Sequence, residues 1–573
     1  MASPSRVLAP IVADAVHAAF GDSYRDEDPV LRPSQFGDVQ ANAALALAKR
    51  VGLAPRAAAA RVAEQLDLGG ICLSAEVSGP GFINFVLNDA WIADQASAMS
   101  VDGRLGVPLL PAECIPVDYS APNVAKEMHV GHLRTTVVGD ALVRVLEHLG
   151  HRVVRQNHIG DWGTPFGMLI EHLLDVGEDS DDARLVATDP NAFYQAARGK
   201  FDSDESFATR ARSRVVALQA GDPATRRVWR ELVELSKRYF NHVYGQLGVT
   251  LTDDDLAGES TYNDLLRGVC DELEAKGLAT ISDGALCVFL DGYTGREDKP
   301  VPLIIRKSDG GYGYATTDLA TIRHRVQVLR ADRALYVVGA PQALHLKMVW
   351  ETARLAGWLP ERVTPVHVQI GNVLGEDRKI LKTRHGAPLR LTALLDEAVA
   401  KARLVLDDAR SDLDEQTRAG IAPQVGIGAV KFADLSVAHD SEYVFDLDRM
   451  TALTGSTGPY LQYAVTRIRS ILRSAGTAPN GPVSVAAPEE RALALTLLDF
   501  GDVIQEVGTR LEPHRLCTYL IEVAQSFSSF YERCPVLKAE EPTRRGRLAL
   551  CGLALGVLES GLGLLGIEAP ERM

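Results

Sequence analysis

The chain lacks any cysteine pattern typical of a metal site or of a disulfide framework. Its seven cysteines are an odd, dispersed set, and no two of them form a CxxC spacing. Unpaired thiols of this kind are typical of a reducing compartment. The sequence therefore predicts a cytoplasmic protein with no protein-bound metal.

Long hydrophobic runs are also lacking. The longest, Leu548–Leu558, ends at Glu559 and is too short to cross a bilayer, so we interpret it as a buried helix. The N-terminal stretch Val7–Phe20 is interrupted by Asp14 and His17, which predicts an amphipathic helix and not a secretory signal. A membrane partner is therefore not expected.

An excess of positive charge is absent as well. The formal net charge is −15 and the sequence pI is near 5.5, so a nucleic-acid partner would have to bind at local basic patches. The share of hydrophobic residues, 46%, is that of a soluble globular protein and excludes a mostly disordered chain. A length of 573 residues indicates about three domains.

Changes in residue pattern indicate where the three domains begin and end. Residues 1–110 combine alanine-rich helical segments with a strand pattern, which predicts a small α/β accessory domain. Residues 111–400 alternate β-rich runs with helical patterns, as in a parallel α/β sheet, and carry a polar insertion at about 175–295. Residues 401–573 are almost wholly helical by pattern. The strand candidates of the middle domain are Ile115–Tyr119, Arg152–Asn157, Leu303–Arg306, Leu335–Val338 and Val366–Ile370.

The first chemical signal is a strand–loop–helix segment. After the strand that ends at Tyr119, residues 120–133 read SAPNVAKEMHVGHL, and a helical pattern follows. The free N–H groups and the dipole of that helix start favour an anion. His129 and His132 are three residues apart, so on a first helical turn they share a face and can donate to phosphate oxygens, while Gly131 lets a base or ribose approach. Taken alone, an HxxH pair fits a metal site or two structural histidines at least as well.

This segment resembles the HIGH signature of class I aminoacyl-tRNA synthetases, and its longer form is similar to that of the arginyl-tRNA synthetases. Residues 157–164, NHIGDWGT, resemble a second motif of that family, with Pro165 where glutamine is usual. The resemblance implies a Rossmann-like catalytic domain that takes ATP as its Mg²⁺ complex. The residues implied to bind ATP are Pro122, Asn123, His129, Gly131, His132 and Lys382.

A second signature of the class, the KMSKS loop, has its best match within Lys379–Arg384. We align Ile380–Arg384 with its five letters, which puts Thr383 in place of the second lysine, whereas an alignment one residue earlier would make Lys382 that lysine. The resemblance implies that Lys126 supplies the missing cation, because the departing pyrophosphate needs positive charge on one wall of the site. The residues implied to act in catalysis are Lys126, His129, His132, Lys382 and Arg384.

An arginine substrate would require carboxylates and aromatic rings, because a guanidinium is a planar fork of hydrogen-bond donors. Tyr314 and Asp318 lie four residues apart, on one helical face, and are similar to the family's YxxxD motif. Gln342 and His345 are similar to a third family segment. The residues implied to line the pocket are Asp118, Tyr314 and Asp318 at the side-chain end of arginine and Asn123 and Gln342 at its α-amino and carboxylate end.

The C-terminal part carries aromatic residues beside arginines, a combination that suits unpaired bases and phosphates. Residues 455–464 and the ending 565–573 resemble the helical DALR anticodon-binding domain of the same family. Arg467 and Arg469 point to different helix faces, so we expect one of them to serve phosphate. Residues 36–42 resemble the family's N-terminal domain, which implies contact with the corner of the tRNA. The residues implied to bind tRNA are Tyr460, Gln462, Tyr463, Arg467 and Tyr531.

The resemblance covers nearly the whole chain and implies L-arginine, ATP and tRNA(Arg) as substrates of a cytoplasmic monomer. Two alternatives stay open at this point. One is another adenylating ligase or a synthetase for another amino acid, and the other is a non-catalytic tRNA-binding paralogue. A resistant duplicate of a housekeeping enzyme would carry the same residues.

Overall fold

The structure is a computed structural model that describes residues 3–573 except 178, 296–298, 382–388, 411 and 480. All seven cysteines lie in the described ranges as buried, free thiols.

Four helices and a four-stranded antiparallel sheet form the N-terminal part of the chain. The elements are α1 (Pro4–Phe20), β1 (Leu31–Pro33), β2 (Val39–Ala41), α2 (Ala43–Val51), α3 (Pro55–Ala63), β3 (Cys72–Ser78), β4 (Phe82–Leu87) and α4 (Asp89–Ser100). The strand order is β1-β2-β4-β3. Helix α1 confirms the predicted amphipathic helix, since Leu8, Val12 and Val16 on one face are buried. Gly79 and Gly81, both at positive φ, turn β3 back as β4.

Strands and helices then alternate along the chain, with a run of helices in between. The elements are β5 (Cys114–Asp118), α5 (Gly131–His148), β6 (Arg152–Gln156), α6 (Thr164–Val176), α7 (Asp181–Thr188), α8 (Pro190–Ser203), α9 (Glu205–Ala220), α10 (Pro223–Leu247), α11 (Asn263–Ala275), β7 (Ala279–Ser282), β8 (Ala285–Thr294), β9 (Pro300–Arg306), α12 (Tyr314–Gln327), β10 (Arg333–Gly339), α13 (Ala343–Leu355) and β11 (Thr364–Ile370). Strands β5, β6, β10 and β11 form the predicted parallel sheet, in the order β11-β10-β5-β6.

Strand β5 is the point at which the winding of this sheet reverses. It pairs with β6 on one side, through α5, and with β10 on the other. Ligands of open parallel sheets bind in the crevice at the carboxyl ends of the strands where such a reversal occurs. All five residues of β5 are buried, as expected for a central parallel strand. The loop after β5 is therefore the place to look for a site.

The predicted strand Leu303–Arg306 exists, but its assignment to the parallel sheet is wrong. It is part of β9, which pairs antiparallel with β8, and β8 pairs antiparallel with β7. Asp283 and Gly284 both have positive φ and form the two-residue turn between β7 and β8. A short apolar run indicates a strand but not its partner, and the Asp-Gly turn was the local signal for a hairpin.

Helices α7–α10 occupy much of the polar stretch that was predicted as an insertion. Helix α10 lies against the loop that follows β5. The N–H of Ala125 donates to Ser236 Oγ at 2.8 Å, and the N–H of Met128 donates to the Tyr239 hydroxyl at 3.1 Å. The insertion therefore supports the loop in which the first signature lies.

Helices dominate the rest of the chain, as predicted. The elements are β12 (Val373–Leu374), α14 (Leu391–Ala409), α15 (Glu415–Leu435), β13 (Tyr443–Val444), α16 (Leu447–Met450), α17 (Gly458–Ala475), α18 (Pro488–Leu498), α19 (Phe500–Arg510), α20 (His514–Arg533) and α21 (Thr543–Leu564). Among the described helices, α21 has the length and apolarity to cross a membrane. It packs against α17 and α20, and Leu550, Val557 and Leu558 are fully buried, which confirms the predicted buried helix.

Candidate active site

The loop between β5 and α5 has a strained backbone. Ser120, Ala121 and Ala125 have φ of 69°, 47° and 55°, a region that costs residues other than glycine free energy. Neighbouring side chains hold the loop there: the N–H of Ala121 donates to Asn157 Oδ1 at 3.2 Å, and the N–H of Ala125 is bound by Ser236. These hydrogen bonds therefore stabilise the strained backbone of the loop.

His129 and His132 lie side by side where α5 begins. Their ring centroids are 4.1 Å apart. The N–H of His129 donates to His132 Nδ1 and the N–H of Gly131 donates to His129 Nδ1, each at 3.1 Å. Because Nδ1 accepts in both rings, the proton of each lies on Nε2. Helix α5 starts at Gly131, so the predicted sharing of a first helical turn is corrected to contact between one loop histidine and one helix histidine.

The protonation of this pair suits donation to phosphate. Burial, together with the neighbouring His129, holds the pKa of His132 at about 3. Burial and the nearby Lys126 also lower the pKa of His129. Both imidazoles are therefore neutral at pH 7 and act as Nε2–H donors and not as cations. The described residues contain no group of three or more His, Cys, Asp and Glu side chains able to hold a metal ion.

Two glycines near the histidines are required by the packing. A Cβ at Gly131 would lie 2.8 Å from the His129 ring, and a Cβ at Gly160 would lie 2.5 Å from Asn123 Oδ1. Both distances are far below van der Waals contact. The N–H of Gly160 also donates to the carbonyl of the buried Pro122 at 3.1 Å. Gly131 thus makes room for the His129 ring, and Gly160 makes room for Asn123.

An open cavity of about 660 Å³ lies next to the loop between β5 and α5. The Tyr314 ring packs edge-on against His345 with a centroid separation of 4.8 Å, and Tyr314 is 65% exposed. Gln342 is exposed in the turn before α13, next to Pro341, which lines the cavity. The polar side chains of the lining include Asn123, Glu259, Lys307, Tyr314 and His345.

Asp318 lies one helical turn after Tyr314 on α12, as the sequence pattern predicted. Its Oδ2 is 2.6 Å from His345 Nε2, and its Oδ1 is 3.9 Å from His158 Nε2. The carboxylate is partly exposed between these two imidazoles. His345 therefore connects the ring of Tyr314 with the charge of Asp318.

The sequence argument missed Glu259. It lies in the stretch interpreted as an insertion, and no pattern around it marks a carboxylate that faces the site. Burial of the group and the nearby carboxylates of Asp161 and Asp318 raise the pKa of Glu259 to about 8, although the N–H of Trp162 donates to it. Gly258 offers the only packing signal we find in this segment, because a Cβ there would lie 2.8 Å from the Asp161 carboxylate.

Asp118, in contrast, has a partner within the protein. It is 5% exposed, and its Oδ2 accepts from Nη2 of the fully buried Arg325 at 2.8 Å. Arg325 also donates to Gln156 and lies over the Tyr336 ring. Asp118 is not in the lining of the cavity of about 660 Å³. Its role in arginine binding stays a prediction, and its observed role is to neutralise a buried arginine.

We expect Asp118→Ala to lower the free energy of unfolding by about 3–5 kcal/mol, because it would leave the guanidinium of Arg325 buried without a counter-charge. Urea unfolding of the variant measures this. The double change Asp118→Ala with Arg325→Met should lose clearly less, since it removes both charges. Equal losses in the single and double variants would contradict the ion pair as the cause.

Lys126 also has a contact that the sequence did not predict. Its Nζ is 3.8 Å from the centroid of the Tyr194 ring on α8. A cation over an aromatic face is attracted to the ring, which restrains its position. The ammonium group lies three residues before His129 in the same loop and lowers the pKa of that histidine.

The segment that follows the second signature contacts the loop of residues 119–130 between β5 and α5, which we call the histidine loop. Lys382, Thr383 and Arg384 lie outside the described residues. Immediately after the gap, Leu389 accepts the N–H of Val130 at 3.0 Å, and the N–H of Leu391 donates to Met128 at 2.9 Å. Arg390, between them, forms an ion pair with Glu127 at 2.7 Å. Through these contacts, the segment after the second signature packs against the loop that carries the first signature.

A basic surface lies on the C-terminal helices. We call it the helical cleft; its volume is about 600 Å³. Tyr463 is 38% exposed on it, and the guanidinium of Arg467 lies 4.5 Å from the centroid of the Tyr531 ring. Tyr460 is half-buried outside this lining. The charged lining residues are Arg410, Asp412, Arg467, Arg473 and Arg572.

Two residues of the same helix have structural roles. Arg469 forms an ion pair with Glu559 at 2.7 Å, so Arg467 is the one of the two predicted arginines that faces the helical cleft. Gln462 is fully buried, and its amide donates to the carbonyls of Gln424 and Glu568. Its predicted place on a tRNA surface is therefore corrected: it ties the C-terminal segment of the chain to α15.

Three family models match the chain. The model of the class I (R) tRNA synthetase catalytic domain matches residues 96–447, that of the DALR anticodon binding domain matches residues 461–573, and that of the arginyl tRNA synthetase N terminal domain matches residues 6–87.

Similar proteins and structures agree with these matches. An arginine–tRNA ligase of Thermobifida fusca is 67% identical over 577 residues and one of Frankia casuarinae 53% over 558 residues, covering 100% and 95% of each chain. Among solved structures, arginyl-tRNA synthetases of Plasmodium falciparum and Thermus thermophilus superpose with TM-scores of 0.84 and 0.81 at 26% identity, over the full length of both chains.

Proposed function

The chain belongs to the class I arginyl-tRNA synthetases, and we propose that the cavity of about 660 Å³, which we call the arginine cavity, forms with the histidine loop the site where L-arginine is activated and passed to tRNA(Arg). The observation that carries this proposal is the lining of the cavity by Glu259 and Tyr314 together with Asn123, which belongs to the same loop as His129 at the reversal point of the parallel sheet. Asp318 binds the lining residue His345. Two carboxyl groups and an aromatic ring suit a guanidinium. Two neutral imidazole donors at a helix start suit phosphate oxygens.

The proposed chemistry has two steps. A carboxylate oxygen of arginine attacks the α-phosphorus of ATP, and the bond to the β-phosphate oxygen breaks to release pyrophosphate. A terminal ribose hydroxyl of the tRNA then attacks the arginyl carbonyl, and AMP leaves. Because no protein group bonds covalently to substrate, the residues act by positioning and by stabilising charge.

We propose the following roles for the residues of the first step. The Nε2–H groups of His129 and His132 donate to phosphate oxygens, and Asn123 holds the α-amino and carboxylate end of arginine, with Gln342 nearby. Lys126 provides the positive charge for the departing pyrophosphate. The roles of Lys382 and Arg384, which lie outside the described residues, rest on the family resemblance alone. Mg²⁺ enters with ATP as part of the substrate.

Glu259 should make arginine binding depend on pH. With a pKa of about 8, Glu259 is mostly protonated in the free enzyme at pH 7, and an arriving guanidinium favours its ionised form. Binding of arginine therefore releases a proton. We expect the KM for arginine to fall as the pH rises from 6 to 8, by at most about tenfold per unit, and to level off above 8.

The measurement is arginine-dependent ATP–pyrophosphate exchange with tRNA present. His158 and His345 also face this region, so the control is Glu259→Gln, which keeps the size of the side chain and removes its titration. The variant should bind arginine more weakly and lose the slope between pH 7 and 8. A slope that persists unchanged in Glu259→Gln would exclude Glu259 as its source.

For tRNA, we propose that the division into residues 1–110, 111–400 and 401–573 separates a corner-binding domain, the catalytic domain and an anticodon-binding domain. The DALR match and the arginine-rich helical cleft support the last assignment. Phe36, 80% exposed in the N-terminal part, supports the first. We further propose a cytoplasmic monomer, in keeping with seven free thiols.

At least one of Tyr460, Tyr463 and Tyr531 should stack on an unpaired base. Tyr463 is the best placed, and Tyr463→Ala should weaken tRNA binding by about 1–3 kcal/mol. Arg467→Ala should also weaken it and reduce its salt dependence. The dissociation constant for tRNA(Arg) at fixed salt is the quantity to measure for all three alanine variants, and Tyr460→Ala should lose least because Tyr460 lies outside the lining of the helical cleft. If all three tyrosine variants bind like the parent while folded, the anticodon contact lies elsewhere.

One assay distinguishes this function from the two alternative functions. Exchange and aminoacylation with each amino acid in turn should be specific for arginine. Activity with a different amino acid would indicate another synthetase, and tRNA binding without any exchange would indicate a non-catalytic paralogue.

A further inference from the structure

The face of α12 that carries Tyr314 and Asp318 continues into the interior of the protein. Arg325 lies seven residues after Asp318, so its side chain leaves the same side of the helix about two turns further along. Tyr314 is exposed and Asp318 partly exposed, whereas Arg325 is 0% exposed. The helix therefore has one end that faces the arginine cavity and another that a guanidinium holds inside the molecule.

The guanidinium of Arg325 joins the ends of two neighbouring strands. Its Nη2 donates to Asp118 Oδ2 at 2.8 Å, and its Nε donates to Gln156 Oε1 at 3.2 Å. Asp118 and Gln156 are the last residues of β5 and β6, and they are partners in the register of the parallel sheet. The planar fork reaches both acceptors from one side chain, which an ammonium group on a flexible stem does not reproduce.

Gln156 connects this anchor with the segment that carries Glu259. The Tyr262 hydroxyl donates to the same Gln156 Oε1 at 3.5 Å. Tyr262 is buried and ends the short 3₁₀ helix that begins at Glu259. Its ring also packs against that of His158, with a centroid separation of 5.9 Å. The contacts of the guanidinium thus extend through Gln156 and Tyr262 to two groups near the substrate.

Each segment tied to Arg325 supplies a group in the arginine cavity or beside it. Asn123 follows β5 and Glu259 begins the 3₁₀ helix, and both line the cavity. His158 follows β6, and its Nε2 lies 3.9 Å from Asp318 Oδ1 on α12. Arg325 itself is not in the lining. Any effect of Arg325 on the substrate is therefore exerted through the residues that it holds in place.

We propose that Arg325 is a positioning residue that sets the dimensions of the arginine cavity. It holds α12 against the ends of β5 and β6, and so it fixes Asp318, at the proposed guanidinium end of the substrate, relative to Asn123, at the α-amino end. A misplacement of about 1 Å by a change remote from the chemistry can cost about 100-fold in rate. The inference rests on the proposed function of this cavity.

The test separates the fork of Arg325 from its charge. Arg325→Lys keeps a cation for Asp118 and removes the donor that binds Gln156. We expect the dissociation constant for L-arginine, measured by calorimetric titration of the full-length enzyme, to rise about tenfold. The KM for ATP, measured with saturating arginine and tRNA, should stay within about twofold of the parent. The histidine loop keeps its own hydrogen bonds to Asn157 and Ser236 in this variant.

Gln156→Met breaks the same tie from the other side and changes no charge. It should weaken arginine binding by a factor similar to that of Arg325→Lys, and it carries the test if Arg325→Lys does not fold. The double variant should bind arginine no more weakly than the weaker single variant, because both changes remove one shared interaction. A loss equal to the product of the two single losses would contradict the tie as the cause.

Ile322→Ala is the matched control for a general loosening of α12. Ile322 is fully buried on the same helix and belongs to an apolar cluster, so its truncation lowers stability. The variant should lower the unfolding midpoint at least as far as Arg325→Lys while its affinity for arginine stays near that of the parent. An equal loss of arginine affinity in both variants would overturn the proposal, because destabilisation alone would then be sufficient.

Parent-like arginine affinity in Arg325→Lys and in Gln156→Met would also overturn the inference, and it would leave the proposed function in place. Failure of the proposed function has a different signature. The parent protein itself would then show neither arginine binding nor arginine-dependent ATP–pyrophosphate exchange with tRNA present, and that result would overturn both.

Discussion

Lys126→Ala should lower the rate of adenylate formation by about 10²–10³-fold while changing arginine binding far less. The charge of Lys126 matters most as the bond to pyrophosphate breaks, so its removal affects the transition state more than the bound substrates. The cation–π contact with Tyr194 restrains the position of this ammonium group. Single-turnover adenylate formation with tRNA present is the measurement.

Two variants control for the charge and its position. Lys200→Ala removes another lysine that lies over an aromatic ring in the same helical region, 5.9 Å from the Phe207 centroid, and should leave the rate unchanged. Lys126→Ala with Thr383→Lys moves the cation to the second signature and should restore part of the rate. A Lys126→Ala enzyme as fast as the parent would show that Lys379, Lys382 or Arg384 supplies the charge.

The sequence predicted those parts of the site that are encoded locally. One such part is the strand–loop–helix segment that includes residues 119–133, and another is the helical spacing of Tyr314 and Asp318. Both depend on residues that are close in the sequence. Periodicity and turn residues report such features directly. The buried α21 and the hairpin of β3 and β4 were predictable for the same reason.

Features that depend on distant contacts were not predictable. Glu259 reaches the arginine cavity because Asp161, some hundred residues earlier, binds its neighbour Ser260. Asp118 was predicted to bind substrate because its partner Arg325 lies more than two hundred residues later in the chain. Gln462 was predicted to bind tRNA because its partners, the carbonyls of Gln424 and Glu568, are also distant in the chain. A single sequence shows which residue types are present, and tertiary packing decides which of them face the ligand.

The sharpest test of the substrate concerns Asp318. Asp318→Ala should reduce kcat/KM for arginine by about 30- to 1,000-fold, equivalent to 2–4 kcal/mol, because a desolvated guanidinium would be left under-paired. Asp318 suits this test better than Asp118, since its carboxylate is partly exposed and its contacts are to His345 and His158 and not to a buried arginine.

The matched control for this loss is Asp318→Asn, which keeps the volume and a hydrogen bond to His345 but removes the charge. Both variants should show an unchanged KM for ATP and an unfolding midpoint close to that of the parent. Both should also discriminate less between arginine and lysine in aminoacylation, because the second donor of the guanidinium fork no longer has a carboxylate to bind. An unchanged catalytic efficiency for arginine in Asp318→Ala would remove Asp318 from the pocket and leave Glu259 as the carboxylate that selects the substrate.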